Sequence, residues 1–194
     1  MPGTGSAPFP ITTRKPETQE WYDQGNALLH SFWFEEAERS FRWCHKLEPN
    51  NPMVYLGLAR CGLNWFTAGF PPTDSLKRYQ SFLQEAVKRK DRATDRERMY
   101  IEAWEEAWLR PGVKPADAMV KKLGEIALKY PQDPEAIVLL GLFSIGNGNP
   151  LANDALIKRA LATNPMHPGA HHALIHNWDG VNSQQALNSC EQYG

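Results

Sequence analysis

The sequence has little cysteine, almost no net charge and no long hydrophobic run. Lysine plus arginine number 21 and aspartate plus glutamate 22, which leaves a net charge of −1. This balance argues against a dedicated nucleic-acid-binding protein, since such proteins are usually basic. Three cysteines without a Cys-x-x-Cys pair exclude a disulfide-stapled scaffold and a thiolate zinc knuckle. No stretch approaches the roughly 18 apolar residues of a membrane span, and the motifs of phosphate-binding loops, dinucleotide folds and nucleophile elbows are missing.

The 194 residues do contain ample core material, with 42% hydrophobic residues and 7 tryptophans. About one domain is expected at this length. Residues 1–16 are rich in proline and glycine and predict a flexible or extended leader, so the domain is expected over residues 17–194. The leader lacks the basic start and apolar run of a signal peptide. A signal peptide removed before residue 1 remains an alternative. The sequence therefore leaves both a cytoplasmic and an exported location open.

Apolar residues recur at three- and four-residue steps from Thr18 onward, which is the period of one helix face. The first stripe includes Trp21, Gly25 and Leu28, and the second includes Ala37 and Phe41. Eight more segments with helical character follow, and no alternating run is long enough for a sheet. The sequence therefore predicts an all-α protein.

Internal repetition indicates how the helices are arranged. Three Pro-x-x-Pro units open helices, and Pro131 and Pro165 are 34 residues apart. The residues that carry the pattern in the first helix pair are Trp21, Gly25, Leu28, Ala37, Phe41 and Pro49. We expect Gly25 and Ala37 to let the two helices approach closely, with Trp21 and Phe41 filling the space between them. Those residue types at those offsets resemble the tetratricopeptide repeat. The resemblance runs from Thr18 to the end of the chain and implies a right-handed superhelical solenoid of about four antiparallel helix pairs.

A solenoid of this kind has a concave groove, and the repeat register implies which side chains face it. The expected groove residues are Tyr22, Asn26, Leu56, Arg60, Val138, Leu142, His172 and His176. The set is mainly apolar with a polar end, which suits a peptide or a helix of a protein partner. The chain stops before a closing proline or a polar capping helix, so we expect either a fragment or self-association through the uncapped last helix.

A histidine-rich segment, HPGAHHALIHNWD, spans His167–Asp179 and holds four of the six histidines. His172 and His176 are one helical turn apart, so their imidazoles point the same way. Two such imidazoles commonly hold zinc or another divalent ion, and Asp179 continues the stripe as a third ligand. His167, in the preceding loop, reaches this site only if the loop folds back.

This segment also resembles a motif, GAxHxxIHxxD/E, of bacterial tetratricopeptide-like proteins. The matching residues are Gly169, Ala170, His172, Ile175, His176 and Asp179. In such relatives the chain continues with more repeats and a second histidine-containing segment. The resemblance implies that the present sequence holds half of any site that the second segment completes.

Two functions follow as hypotheses. The leading one is a non-enzymatic scaffold that binds a peptide or protein partner in its groove. The alternative is a metal-binding protein, in which His172, His176 and Asp179 leave an open position on a zinc-like ion for an activated water and an unidentified small substrate. Position 173 is Ala173 where zinc peptidases have glutamate, so peptidase chemistry is disfavoured.

Overall fold

The computed structural model describes residues 5–193, and the all-α prediction is confirmed. No strand occurs in this part of the chain. The ten α-helices are α1 (Pro16–His30), α2 (Phe34–Leu47), α3 (Pro52–Arg60), α4 (Asp74–Val87), α5 (Asp95–Leu109), α6 (Pro115–Lys129), α7 (Pro134–Ser144), α8 (Pro150–Thr163), α9 (Pro168–Trp178) and α10 (Leu187–Tyr193). Short 3-10 turns cover Trp65–Thr67, Lys90–Arg92 and Ser183–Ala186.

Consecutive helices pack in pairs, from α1 with α2 to α9 with α10, in a tetratricopeptide-like solenoid. The described residues contain five pairs, not the expected four or so. The pair that the repeat count missed is α5 with α6. Helix α5 begins with a capping box between Thr94 and Glu97 and not with a Pro-x-x-Pro unit, so it lacks the signal used to count repeats.

Glycines allow the first helices to approach closely. A Cβ on Gly25 would lie 2.8 Å from the Phe41 ring, and one on Gly57 would lie 2.5 Å from it. Both distances are shorter than real carbon contacts allow, so α1 and α3 hold the ring of α2 between them because they present no side chain there. The expected role of Gly25 and Phe41 in packing is confirmed.

The N-terminal stretch is packed against the helices where the structure describes it. Residues 5–15, here called the N-terminal segment, are extended and packed against the helices, while residues 1–4 lie outside the described residues. Ala7 is 2% exposed and Phe9 is fully buried. The prolines of this stretch disfavour a helix, but Ala7 and Phe9 supply apolar area that the helices cover.

The two ends of the solenoid meet. Helix α1 contacts α9, and the backbone N–H of Ser6 donates to the carbonyl of Met166 at 3.2 Å. The concave side is therefore enclosed between the first and fifth helix pairs. None of the described helices combines the length and hydrophobicity that crossing a membrane requires.

Candidate functional site on the concave side

The N-terminal segment lies across the first helices of the repeats and is held through its backbone. Asp23 accepts from the Phe9 N–H at 2.8 Å, and the amide of Gln19 donates to the Phe9 carbonyl at 3.0 Å. Further contacts to the segment's backbone come from Asn26, Asn51, Arg96, Glu97 and Asn164. An extended segment outside a helix or sheet cannot pair its own backbone N–H and C=O groups. Side chains from several helices supply the hydrogen-bond partners here.

Phe9 anchors this segment. Its ring packs edge-on against Tyr22 and Tyr100, with ring centroids 5.8 and 4.8 Å away. The guanidinium of Arg96 lies 4.6 Å and that of Arg60 5.8 Å from the Phe9 centroid, in the range of cation–π contacts. One aromatic side chain is thus enclosed by residues of α1, α3 and α5.

A buried carboxylate lies beside this anchor. Glu135, in the first turn of α7, is fully buried. Its Oε1 accepts from Arg60 at 2.6 Å, and its Oε2 is 2.8 Å from the Asn26 amide and 2.9 Å from Nε2 of His30. The amide oxygen of Asn26 accepts from Arg60 at 3.0 Å. This polar cluster connects α1, α3 and α7.

Electrostatics keeps the cluster charged. Burial on its own raises the pKa of Glu135, but the charges of His30 and Arg60 and the hydrogen bond from His30 outweigh it and hold that pKa well below its usual range. The N-terminal end of α7 also favours a negative charge in its first turn. The Arg60–Glu135 contact is therefore a buried ion pair.

The histidine-rich segment forms the contact between α9 and α1. Nδ1 of His167 accepts from the Ala170 N–H at 3.3 Å and caps α9, while its ring packs on that of His30 with centroids 5.0 Å apart. A Cβ on Gly169 would lie 2.1 Å from Nδ1 of His30. Burial, followed by the charge of His30, lowers the pKa of His167 to about 3, so His167 is neutral.

The predicted metal stripe is only partly assembled. The rings of His172 and His176 are neighbours, with centroids 4.8 Å apart. Nδ1 of His172 lies 2.9 Å from the backbone carbonyl of His30, to which it donates. Asp179 is exposed at the end of α9. His171 contacts the Pro165 carbonyl and Ser189 and belongs to the packing of α9.

A different set of potential ligands lies closer together. His30, Glu135 and His167 each place one ligand atom within 4.8 Å of the other two, and all three are buried. His167 was named as a possible ligand from the sequence, whereas His30 and Glu135 were not. Their separation of 105 residues explains why spacing rules did not bring them together.

His172 and His176 belong to an aromatic cluster on the concave side. Its centre is Phe32, whose ring lies 3.9 Å from that of His172 and 4.3 Å from that of Phe66. The cluster comprises Phe32, Phe34, Trp65, Phe66, His172 and His176. Phe66 is 44% exposed, so the cluster reaches the surface.

The expected groove residues do not line an open surface. The six on α1, α3 and α7 are all buried: Tyr22, Asn26, Leu56, Arg60, Val138 and Leu142. His172 is buried and His176 half-buried. Of this set, Tyr22, Asn26 and Arg60 contact the N-terminal segment.

No protein-family model matches the chain, and no curated protein matches it. Two solved structures of MamA do resemble it. One, described as a MamA RS-1 ArsTM double mutant, is 15% identical, with a TM-score of 0.45 over 93% of this chain and 94% of that chain. The other, a crystal structure of MamA protein, is 17% identical, with a TM-score of 0.44 over 91% and 90%. Nothing about partners or chemistry follows from a likeness this distant.

Proposed function

We propose that this protein is an interaction scaffold whose concave side binds an extended segment of a protein partner. The observation that carries the proposal is the hold on residues 5–15. Side-chain amides and carboxylates contact that segment's backbone, and one aromatic side chain is enclosed. This is the chemistry of peptide recognition, in which backbone contacts supply affinity and a pocket supplies specificity.

In this proposal the N-terminal segment occupies the groove in place of a partner. A partner segment would present a phenylalanine to Tyr22, Tyr100 and Arg96, and would have to displace residues 5–15. Partner binding is then weak while the chain's own segment is in place, because the competing segment is always present at high effective concentration.

The test is binding of a labelled peptide that covers residues 5–15 to the full chain and to its Phe9→Ala variant. We expect the variant to bind the peptide at least about 10-fold more tightly than the unmodified chain, a difference of about 1.4 kcal/mol. A peptide with alanine in place of its phenylalanine should lose this binding. Fluorescence anisotropy measures all three.

Trp33→Ala is the matched control, since Trp33 is 59% exposed and lies outside the segment's contacts. If Phe9→Ala impairs folding by circular dichroism, Thr12→Val serves instead, because it removes the hydroxyl contact to Glu97. Equal peptide affinity for the unmodified chain and both segment variants would contradict the proposal.

A second candidate is metal binding at His30, Glu135 and His167, favoured by three buried ligand atoms within 4.8 Å of one another. The metal-dependent enzyme considered from the sequence would require such an ion. The ion would compete with Arg60 for Glu135, and binding at Nε2 of His167 would require a change of tautomer that ends the cap on α9.

Metal analysis of the purified protein and its melting temperature with zinc or with a chelator test this candidate. His167→Asn is informative because asparagine keeps an N-cap acceptor but removes the imidazole. We expect about one zinc per chain, lost in His167→Asn and kept in His176→Asn. If zinc is lost only in His176→Asn, the site lies at His172 and His176 instead. If neither the unmodified chain nor the variants bind zinc, the metal hypothesis is wrong.

A further inference from the structure

An apolar cavity of about 40 Å³ adjoins the aromatic cluster. Its buried side is formed by leucines of α1, of α7 and of the turn after α3, namely Leu29, Leu139, Leu142 and Leu63, and its outer side by Phe32, Phe34 and Trp65. The three rings are half-buried, so the cavity opens towards the surface between them. The cavity is a separate place from the Phe9 site.

The polar groups that border the cavity are already engaged. Arg60 and His30 contact Glu135 at 2.6 and 2.9 Å, and the side chain of Asn64 accepts from the Phe66 N–H. A ligand entering here would find hydrocarbon and ring faces. Polar or charged groups would lose their hydration without replacement.

The size of the cavity limits what it can hold. Benzene occupies an engineered cavity of about 150 Å³, which is several times larger than this one. By this comparison a cavity of about 40 Å³ is too small for an aromatic ring. The fit is to the end of a branched aliphatic side chain.

The cavity lies next to the Phe9 site. The Arg60 guanidinium lies 5.8 Å from the centroid of the Phe9 ring and 5.2 Å from that of the Trp104 ring, and both Arg60 and Trp104 border the cavity. One buried arginine therefore separates the enclosed aromatic side chain from the aliphatic space.

The backbone at Phe32 is strained in a way that positions its ring. Phe32 has φ 61°, the only positive φ of a non-glycine residue in the described chain. Its N–H donates to the Leu29 carbonyl, and the next N–H donates to the Leu28 carbonyl, which is the Schellman arrangement that ends a helix and favours glycine at this position. A bulky residue in place of glycine indicates that the ring is needed there.

We propose that this cavity is a second anchor pocket, specific for a branched aliphatic side chain of the bound segment. The proposal rests on the proposed function, and it adds the partner's chemistry: an aromatic side chain in the Phe9 site and a leucine, isoleucine or valine in the cavity. Phe32 sets the width of the entrance.

The probe is N-acetyl-leucinamide, and N-acetyl-asparaginamide is its polar counterpart of similar shape. Protein-detected NMR on the full chain should show saturable shifts for the leucine probe around Phe32 and His176. Affinity for the asparagine probe should be at least about 10-fold lower. Equal affinity for both probes, or tighter binding of N-acetyl-phenylalaninamide, would overturn the proposal.

Two variants localise the binding. Leu142→Phe fills the cavity and should abolish probe binding, whereas Leu151→Phe, at a position 69% exposed, should leave it unchanged. Phe32→Gly should weaken binding, because it removes the ring that borders the entrance. Unchanged binding in Leu142→Phe refutes the pocket. The leucine probe can bind while residues 5–15 stay in place. If the leucine probe binds but the peptide of residues 5–15 does not, the proposed function is contradicted and the pocket is not.

Discussion

Two carboxylates of this protein bind arginine in different surroundings. Glu135 accepts from Arg60 with side-chain exposures of 1% and 4%, and it joins helices distant in sequence. Glu38 accepts from Arg78 and Arg42 on the outer surface, with side-chain exposures of 12%, 43% and 56%, and it joins the adjacent helices α2 and α4. Both side chains of the Arg60–Glu135 pair are buried from water, whereas the two arginines that bind Glu38 are exposed to it.

The comparison shows what each kind of contact does in a solenoid. Neighbouring repeats already pack through apolar faces, so an outer ion pair adds little to their association. Helices α1, α3 and α7 belong to different pairs, and the buried polar cluster supplies specific contacts among them. Three variants test this difference, from the largest expected effect to the smallest.

Glu135→Ala should have the largest effect. It leaves Arg60 charged and buried without its partner, and a broken buried pair typically costs about 3–5 kcal/mol. Urea unfolding should show this as a lower midpoint. Asp95→Ala, which breaks an exposed pair with Lys129, should leave the midpoint unchanged. Equal effects of the two variants would show that the inner and outer carboxylates do not differ in this way.

Gly169→Ala should have an intermediate effect. The new methyl group would lie 2.1 Å from the His30 ring and would push α9 from α1, and such overpacking costs about 1–3 kcal/mol. Gly124→Ala is the same change in α6, where nothing lies within 4 Å of the new Cβ, so it should stabilise by roughly 0.5–1 kcal/mol. Thermal unfolding measures both, and a stabilising Gly169→Ala would contradict the close contact.

Glu38→Gln should have the smallest effect and should depend on pH. Burial raises the pKa of Glu38. Hydrogen bonds from Arg78, Arg42 and Tyr79 lower it by more than burial raises it, and the resulting pKa is about 2. A depressed carboxyl pKa stabilises the fold above the unfolded value near 4.5 and loses this contribution as pH falls towards 2. Partial exposure limits the contribution to roughly 1 kcal/mol or less.

Unfolding midpoints at pH 7 and at pH 2.5 provide the check. The stability difference between the unmodified chain and Glu38→Gln should be present at pH 7 and shrink at pH 2.5. A difference that grows as pH falls would show that the sign of this linkage is wrong.

Much of the fold was predictable from local patterns. Helical periodicity and proline positions predicted the ten helices, and Gly25 with Phe41 predicted the close packing of the first ones. The missed pair, α5 with α6, begins at a capping box and not at a proline unit. The site was less predictable: the rings of His172 and His176 do lie together, but Asp179 is exposed, and Phe9 was assigned to a flexible or extended leader and not to a site.

The sequence by itself determined the helices and the close packing of the first ones, because these depend on residue types within one or two repeats. Only the tertiary structure decided three features. Glu135 contacts His30 and Arg60, the His30 ring packs against Gly169, and residues 5–15 cover the groove. Those contacts join positions as far apart in the sequence as Ser6 and Met166. They arise from the accumulated curvature of five stacked pairs, which no local spacing records.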